Sequence, residues 1–339
     1  MFELILPNCS KELKAGVVGL GKMGLMHSCI LNVLPNVRLL AICDKSWLMR
    51  KIVKQMFSGC LLTDNLGKFT DLDLDMIYIL TPIPSHHNII KDIYTQNIAR
   101  NLFVEKTLAS NFTQSKDLFE LSQKRGGVNM VGYMKRFGVT FNRAKQLLDK
   151  HALGKLSFFD SYAFSSDFAD LPEGSTISRA RGGAIEDLGS HVGDLALWFF
   201  GELDVTSAKI ESHIAQGSED KASFEVKGSS GLTGRFRVSW CENGYRMPEF
   251  GLTIKGEYGE LYVNDDELEL KLNEAKPERW YRQDLGDDVG FFLGGSEYFR
   301  EDEYFAQHIA SGCKTESDFE SAMRVDYLLD QVRCKAANA

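Results

Sequence analysis

The sequence of 339 residues lacks most of the features that mark specialised classes of protein. It has only 7 prolines and 7 cysteines, and no two cysteines have the spacing of a zinc site or a CxxC motif. We therefore expect no bound metal and no disulfide framework, and scattered thiols are typical of the reducing cytoplasm. No apolar stretch reaches the roughly 18 residues of a membrane span, and residues 1–13 lack the apolar run of a secretory signal.

An excess of positive charge is also absent. The formal net charge is -8, so we expect that nucleic acid is not a partner. The hydrophobic content of 44% and charged content of 25% are ordinary for a globular protein with a sizeable core. The length suggests two domains, which we place at residues 1–136 and 137–339.

A glycine-rich turn stands near the start of the chain. A short apolar run leads into Gly19-x-Gly21-x-x-Gly24, and a helical pattern follows. In such a strand–turn–helix unit the first glycine allows a tight turn, the second admits a pyrophosphate, and the third lets the helix pack closely. The context predicts a dinucleotide site, in which the turn (with Lys22 and Met23) and the helix N-terminus bind the phosphates.

An acidic residue follows at the spacing that such a site requires. A second strand pattern, residues 37–43, ends at Asp44, 20 residues after Gly24. A carboxylate at this point accepts hydrogen bonds from the ribose hydroxyls, and it favours NAD over NADP because it repels a 2′-phosphate. Lys45 can soften that repulsion, so NADP is kept as the alternative cofactor.

Strand and helix patterns alternate through the first 136 residues. Further buried-strand patterns occupy residues 75–80, 101–104 and 128–133. This alternation predicts a doubly wound parallel sheet of the Rossmann type, whose ligands bind beyond the carboxyl ends of the strands. The residues that follow two of these strands are therefore expected at the cofactor: Thr81, Pro82, His86, Glu105 and Lys106.

Two polar features of the chain have both a chemical and a structural interpretation. Lys106, at a strand end, could stabilise a developing alkoxide, or it could simply pair with Glu105. Asp187 and His191 are four residues apart, so on a regular helix they share a face and can together move a proton. The same pair could also be the polar end of a buried helix.

The pattern changes after residue 155. Strand-like runs occupy residues 156–164, 204–214, 221–228, 232–241, 250–256, 259–264 and 267–272. They predict a second, α+β domain with a mostly antiparallel open sheet and helices on one face, closed by helices within residues 297–334. The exposed face of that sheet predicts a homo-oligomer, either a dimer or a tetramer.

In their order and spacing these motifs resemble the Gfo/Idh/MocA superfamily of glucose–fructose oxidoreductase, inositol dehydrogenase and rhizopine catabolism proteins. The resemblance covers nearly the whole chain. It rests on the Gly19–Gly24 turn followed by His27, Thr81-Pro82-x-x-x-His86, Glu105-Lys106, residues 132–137 and residues 182–194. It implies a reversible NAD(P)-dependent oxidation of a hydroxyl group on a small sugar, sugar nucleotide or cyclitol.

The resemblance also implies roles for individual residues. Lys106 is expected to hold the substrate oxygen, His191 to remove the hydroxyl proton, and Asp187 to orient His191 or share the substrate contact. Thr107 stands where the family usually has proline, which could change the reach of Lys106 or offer a hydroxyl to the cofactor. The residues expected to contact substrate are Arg136, Arg179, Arg181, Asp194 and Tyr162.

Several alternatives are compatible with these motifs. Arg179 and Arg181 could bind a carboxylate or phosphate as forked donors, or they could be solvated. Tyr162 and Trp240 lie on predicted strands, and either face of the sheet is open to them. At the level of the whole protein, a non-catalytic NAD-binding regulator and an NAD-assisted glycosidase are alternatives to the dehydrogenase. Retention of Lys106, Asp187 and His191 favours the dehydrogenase.

Overall fold

The structure is a computed structural model of the chain, and it describes residues 12–170, 182–212 and 218–338. These residues form two compact units. The first comprises the chain up to Met134 together with Val289–Met323, and the second comprises Lys135–Asp288 and the chain from Arg324 onward. The main boundary lies two residues from the one that the sequence suggests, but the first unit also takes a segment that the sequence assigns to the second domain.

The helices described are α1 (Lys22–Leu31), α2 (Trp47–Val53), α3 (His86–Thr95), α4 (Phe112–Arg125), α5 (Val139–Asp149), α6 (Ser190–Phe200), α7 (Ser296–Ser311) and α8 (Phe319–Ala337). Helix α7 packs against α1 within the first unit, where buried Asp302 bonds to buried His27. That buried pair joins α7 to α1, the helix that follows the glycine turn. None of the helices in the described parts of the chain is long and apolar enough to span a bilayer.

The first unit contains a six-stranded parallel sheet in the order β3-β2-β1-β4-β5-β6. Its strands are β1 (Leu13–Val18), β2 (Val37–Cys43), β3 (Leu61–Thr63), β4 (Met76–Ile79), β5 (Asn101–Glu105) and β6 (Asn129–Gly132). The predicted doubly wound sheet is confirmed. Only β3 has no counterpart in the sequence analysis, because a three-residue edge strand is too short to show a periodic pattern.

The structure of the turn between β1 and α1 shows why glycine is needed at two of its positions. Gly19 has φ +102°, and a Cβ there would lie 2.7 Å from the Leu80 carbonyl oxygen. A Cβ on Gly24 would lie 2.0 Å from the Gly19 carbonyl oxygen. The first turn of α1 can therefore pack this closely against Gly19 only because residue 24 has no side chain. A Cβ on Gly21 would meet nothing within 4 Å. Gly19 and Gly24 therefore shape the turn, whereas Gly21 keeps space open above it.

The second unit contains an eight-stranded sheet in the order β14-β13-β12-β11-β7-β10-β9-β8, antiparallel except where β7 pairs with β10. Its strands are β7 (Leu156–Phe164), β8 (Leu203–Glu211), β9 (Lys221–Gly228), β10 (Thr233–Ser239), β11 (Glu249–Gly256), β12 (Gly259–Asn264), β13 (Glu267–Leu272) and β14 (Glu278–Tyr281). Helix α6 packs on one face of β7 and β11, as the predicted one-sided sheet requires. The short strand β14 was not predicted.

We expect Gly24→Ala to lower the free energy of unfolding by about 1–3 kcal/mol, because the new methyl group would overlap a backbone oxygen that cannot turn aside. Gly21→Ala is the matched control, since its φ of -67° suits alanine and its Cβ position is open. Thermal unfolding of the two variants without ligand makes the comparison. Equal melting temperatures would contradict the close approach of α1 to the turn.

Candidate active site

The carboxylate of Asp44 is held by the backbone around it. Its Oδ2 accepts the N–H of Leu20 at 2.6 Å, and its Oδ1 accepts the N–H of Ser46 at 2.7 Å. The first bond ties the end of β2 directly to the glycine turn. A carboxylate oxygen can accept more than one hydrogen bond, so both oxygens keep acceptor capacity for ribose hydroxyls.

Arg50 is a neighbour of Asp44 that the sequence analysis did not identify. Its guanidinium group donates to the Asp44 carbonyl oxygen and, at 3.3 Å, to the Asp64 carboxylate. Nothing in the local pattern distinguishes this arginine from other charged residues on a surface helix. Its contacts brace the end of β2, whereas Lys45 is exposed beside Asp44.

His86 joins two loops of the first unit. Its Nε2 lies 2.7 Å from the Thr81 carbonyl oxygen and its Nδ1 lies 3.0 Å from the Thr107 carbonyl oxygen. The side chain is fully buried, and this burial lowers the pKa of the imidazole. Both ring nitrogens face backbone carbonyls, so the ring connects the loop after β4 to the loop after β5. The predicted contact of His86 with the cofactor stays a prediction.

The loop after β5 carries Glu105, Lys106 and Thr107. The Glu105 Oε2 accepts the backbone N–H of Lys106 at 2.9 Å, and the Lys106 side chain is half-buried. The peptide bond between Lys106 and Thr107 is cis. The Thr107 hydroxyl is buried and donates to the Ala109 carbonyl at 3.0 Å, so within the chain it stabilises the loop. Its contact with the cofactor stays a prediction.

The glycine pair before α6 has two separate causes. Gly182 has φ +89°, a conformation that favours glycine. A Cβ on Gly183 would lie 2.1 Å from the Glu219 Oε1, and that oxygen accepts the N–H of Ile185 at 3.0 Å. Burial, followed by the charge of Glu186, raises the pKa of the Glu219 carboxyl group. Gly183 therefore lets Glu219 reach the first turn of the helical segment, whereas Gly182 meets a backbone requirement.

That segment is not the regular helix that the sequence predicts. Residues Ile185–Gly189 form a π-helix, and the α-helix begins only at Ser190. Asp187 therefore lies in the π turn and His191 in α6, so the two residues are not on one regular α-helix. Single π turns occur frequently at functional sites. The sequence spacing cannot reveal one, because it depends on the fit of the segment against its neighbours.

Asp187 and His191 have different partners within the second unit. The indole Nε1 of Trp240, which is fully buried, donates to the Asp187 Oδ2 at 3.1 Å. The His191 ring is buried and meets Phe250 edge-on at 5.2 Å between centroids. Trp240 thus orients Asp187, and its side chain faces the side of the sheet on which Asp187 lies. The Lys135 ammonium group lies 4.5 Å above the ring of Phe250. This places a cation near His191 that the sequence pattern did not indicate.

Arg136 and Asp194 form a buried ion pair. Arg136 donates from Nε to Oδ2 at 2.8 Å and from Nη2 to Oδ1 at 2.5 Å, and Asp194 is fully buried. Burial raises the pKa of Asp194, while the charge and hydrogen bonds of Arg136 oppose that rise. The bonds between the two side chains join Arg136 to α6. A contact of either residue with substrate stays a prediction.

Tyr162 does not share a sheet face with the residues around His191. Phe250, which contacts His191, lies opposite Ala163 in the β11–β7 register. Side chains alternate between faces along a strand, so Tyr162 points to the other face. There its hydroxyl donates to Glu249 Oε1 at 2.5 Å and contacts the Tyr262 hydroxyl at 3.0 Å. Tyr162 thus lies on the face of the sheet away from His191, and its contact with substrate stays a prediction.

The remaining predicted site residues are less constrained. Lys22 is exposed and Met23 half-buried in the first turn of α1, where backbone N–H groups lack helical acceptors. Arg179 and Arg181 lie outside the described residues. Among the residues that are described, no group of three or more His, Cys, Asp or Glu side chains is arranged to hold a metal ion.

Comparison with known proteins places this geometry in a class. A family model described as an oxidoreductase family with an NAD-binding Rossmann fold matches residues 13–133. A second model, the GFO/IDH/MocA C-terminal domain, matches residues 141–262. The chain is thus an oxidoreductase with an NAD-binding Rossmann domain, and it belongs to the GFO/IDH/MocA family.

Individual relatives are distant. The chain is 24% identical over 255 residues to scyllo-inositol 2-dehydrogenase (NAD(+)) of Bacillus subtilis (strain 168), covering 73% of this chain and 71% of that protein. It is 23% identical over 262 residues to D-apiose dehydrogenase of Paraburkholderia graminis, covering 76% and 68% respectively. Levoglucosan dehydrogenase in complex with NADH and L-sorbose has the same fold, with a TM-score of 0.88, 19% identity and 97% coverage of both chains.

We expect Arg136→Ala to destabilise the protein by about 3–5 kcal/mol, because it leaves the buried Asp194 carboxylate without its partner. The double variant Arg136→Met, Asp194→Leu is the control, and it should recover most of that loss because no charge stays buried. Denaturant unfolding measures both. A single variant as stable as the natural protein would show that the pair is solvated and contributes little to stability.

Proposed function

We propose that the protein catalyses the NAD-dependent oxidation of a secondary hydroxyl group on a cyclitol or a small sugar, and the reverse reduction of the ketone. Sugar nucleotides are a further substrate class compatible with the family. The observation that carries the proposal is the Asp44 carboxylate, which is bound to the glycine turn and keeps acceptor capacity for the ribose hydroxyls of NAD. The curated relatives named as inositol and apiose dehydrogenases support the substrate class.

The residues of the first unit fit a dinucleotide. The open space above Gly21 suits a pyrophosphate, and the N-terminal turn of α1 offers backbone N–H groups to it. Asp44 suits the ribose and disfavours a 2′-phosphate, which supports NAD over NADP. When bound, the nicotinamide ring supplies the hydride acceptor, while the protein's own residues position the substrate and handle its proton.

Three residues are proposed to manage that proton. His191 accepts it from the hydroxyl group that is oxidised, since an imidazole is well matched to proton transfer near neutral pH. Asp187, held by Trp240, orients the imidazole or shares the contact with substrate. Lys106 stabilises the negative charge that develops on the substrate oxygen. The buried environment of His191 limits water at the proton acceptor and strengthens these electrostatic interactions.

The two alternative functions receive less support. A regulator that binds NAD without turnover does not require an acid, a histidine and a lysine of these kinds. An NAD-assisted glycosidase would act on glycosides without added NAD. Incubating the protein with a panel of glycosides in the absence of external NAD distinguishes the glycosidase, because a dehydrogenase releases no aglycone there.

We also propose that the open face of the second sheet forms a homo-oligomer. This face carries Tyr162 with its partners Tyr262 and Glu249, and Asp160 lies 2.5 Å from Arg235 and 3.3 Å from Arg237. Half-exposed aromatic rings beside paired charges are suited to an interface with a polar rim.

We expect light scattering to give a mass of two or four times 38.1 kDa, and Arg237→Asp to lower it because that change sets two acidic groups beside each other. A monomer at micromolar concentration would defeat this proposal without affecting the proposed chemistry.

We expect Lys106→Ala, Asp187→Ala and His191→Ala each to lower kcat by about 10²- to 10⁴-fold, with NADH still bound. NAD reduction is first screened with inositols, free sugars and sugar nucleotides, and each variant is then measured with the best substrate. Lys116→Ala and His87→Ala are matched controls, since Lys116 is exposed on α4 and His87 is paired with Asp117. Full turnover in any one of the three variants would remove that residue from the mechanism.

A further inference from the structure

A buried histidine lies on the helix that follows the glycine turn. His27 is on α1, three residues after Gly24, and its side chain is fully buried. Its Nδ1 lies 2.9 Å from both carboxylate oxygens of Asp302, which is also fully buried, on α7. The rings of Tyr78, Phe103 and Tyr298 surround the imidazole, with centroids 5.2–6.0 Å away. The proposed hydride transfer gives no role to this histidine.

The other side of the His27 ring faces the lysine loop. Its Nε2 lies 3.8 Å from the Glu105 Oε1, which is an ion-pair contact and too long for a hydrogen bond. The second oxygen of the same carboxylate, Oε2, accepts the backbone N–H of Lys106 at 2.9 Å. A continuous chain of contacts therefore runs from α7 through His27 on α1 to the backbone of Lys106.

The charges in this chain are consistent with a protonated imidazole. Burial alone would lower the pKa of His27, but the Asp302 carboxylate, helped by Glu105, outweighs it and raises the pKa to about 10. The neighbouring Glu301 is fully buried, and burial raises the pKa of its carboxyl group well above the ordinary value. A positive His27 between Asp302 and Glu105 attracts both carboxylates.

We propose that His27 is a positioning residue for Lys106: held by Asp302, it fixes the Glu105 carboxylate, and Glu105 in turn fixes the backbone of Lys106. The device joins the helix of the dinucleotide fingerprint to the loop of the lysine. It rests on the proposed function, because fixing Lys106 matters for catalysis only if Lys106 acts on the substrate oxygen.

A purely structural role is the competing explanation. Buried ion pairs are often no more stabilising than apolar residues of the same volume, so the His27–Asp302 pair is poorly explained by stability alone. The geometry separates the two explanations, because the two ring nitrogens face different partners. A variant that keeps the Asp302 contact and loses the Glu105 contact should disturb Lys106 while leaving the packing of α1 and α7.

Two amides imitate the two halves of the imidazole. His27→Asn places an N–H group near the position of Nδ1 and retains a donor to Asp302, whereas His27→Gln reaches toward Glu105 as Nε2 does. Glu105→Gln is a third variant, which keeps an acceptor for the Lys106 N–H but removes the attraction of His27. It leaves the contact between α1 and α7 intact, so it serves even if a change at position 27 prevents folding.

The probe is competitive acetylation of lysine side chains by acetic anhydride, read by mass spectrometry on the whole protein without substrate. The exposed Lys116 and Lys155 are internal references. We expect His27→Asn and Glu105→Gln to acetylate Lys106 about three- to tenfold faster relative to these references, as loss of one anchoring interaction would allow. His27→Gln, whose neutral amide replaces the ion pair with a hydrogen bond to Glu105, should stay within about twofold of the natural protein.

Three outcomes would overturn the proposal. One is unchanged Lys106 labelling in folded His27→Asn or in Glu105→Gln. Another is a change in His27→Gln alone, which would assign the effect to Asp302. The third is faster labelling of Lys106 and both references together, which would indicate general loosening. Labelling needs no turnover, so a failure to find dehydrogenase activity leaves this test intact, and a failed labelling test leaves the proposed reaction intact.

Discussion

The parallel register of the first sheet is the constraint on which the proposed dinucleotide site depends, because it brings the loops of that site together. Val18 at the end of β1 lies opposite Cys43 of β2 and Ile79 of β4, and Ile79 lies opposite Val104 of β5. The loops that follow these strands must therefore all begin at the carboxyl end of the sheet. The bond from Leu20 to Asp44 and the contacts of His86 with two loops then hold these loops together.

Burial distinguishes the residues proposed to touch a ligand from the residues that join one element of the protein to another. His27 and His86 are both fully buried and have ring nitrogens turned toward the protein, so each connects one loop or helix to another. Arg136 and Asp194 behave in the same way beneath α6. Polar groups without access to water need partners inside the protein, whereas the half-exposed groups Lys106 and Asp187 are the ones proposed to meet substrate.

The second unit follows a related logic with different means. Gly183 admits Glu219, which bonds the start of the π turn, and Trp240 holds Asp187 from the sheet side. Since β7 alternates its side chains, one face of the sheet supports α6 and His191, while the face with Tyr162 is left for other contacts. One strand thus separates the proposed proton chemistry from the proposed interface.

The sequence by itself determined the glycine turn, the acid at Asp44, the doubly wound sheet and the one-sided second sheet, because these depend on local spacing and periodicity. Tertiary structure alone decided the π turn before α6, the pairing of Arg136 with Asp194, the face of Tyr162 and the move of α7 to the first unit. Each of those depends on which distant residue, such as Asp302 for His27, satisfies a buried polar group. Spacing along the chain carries no information about such partners.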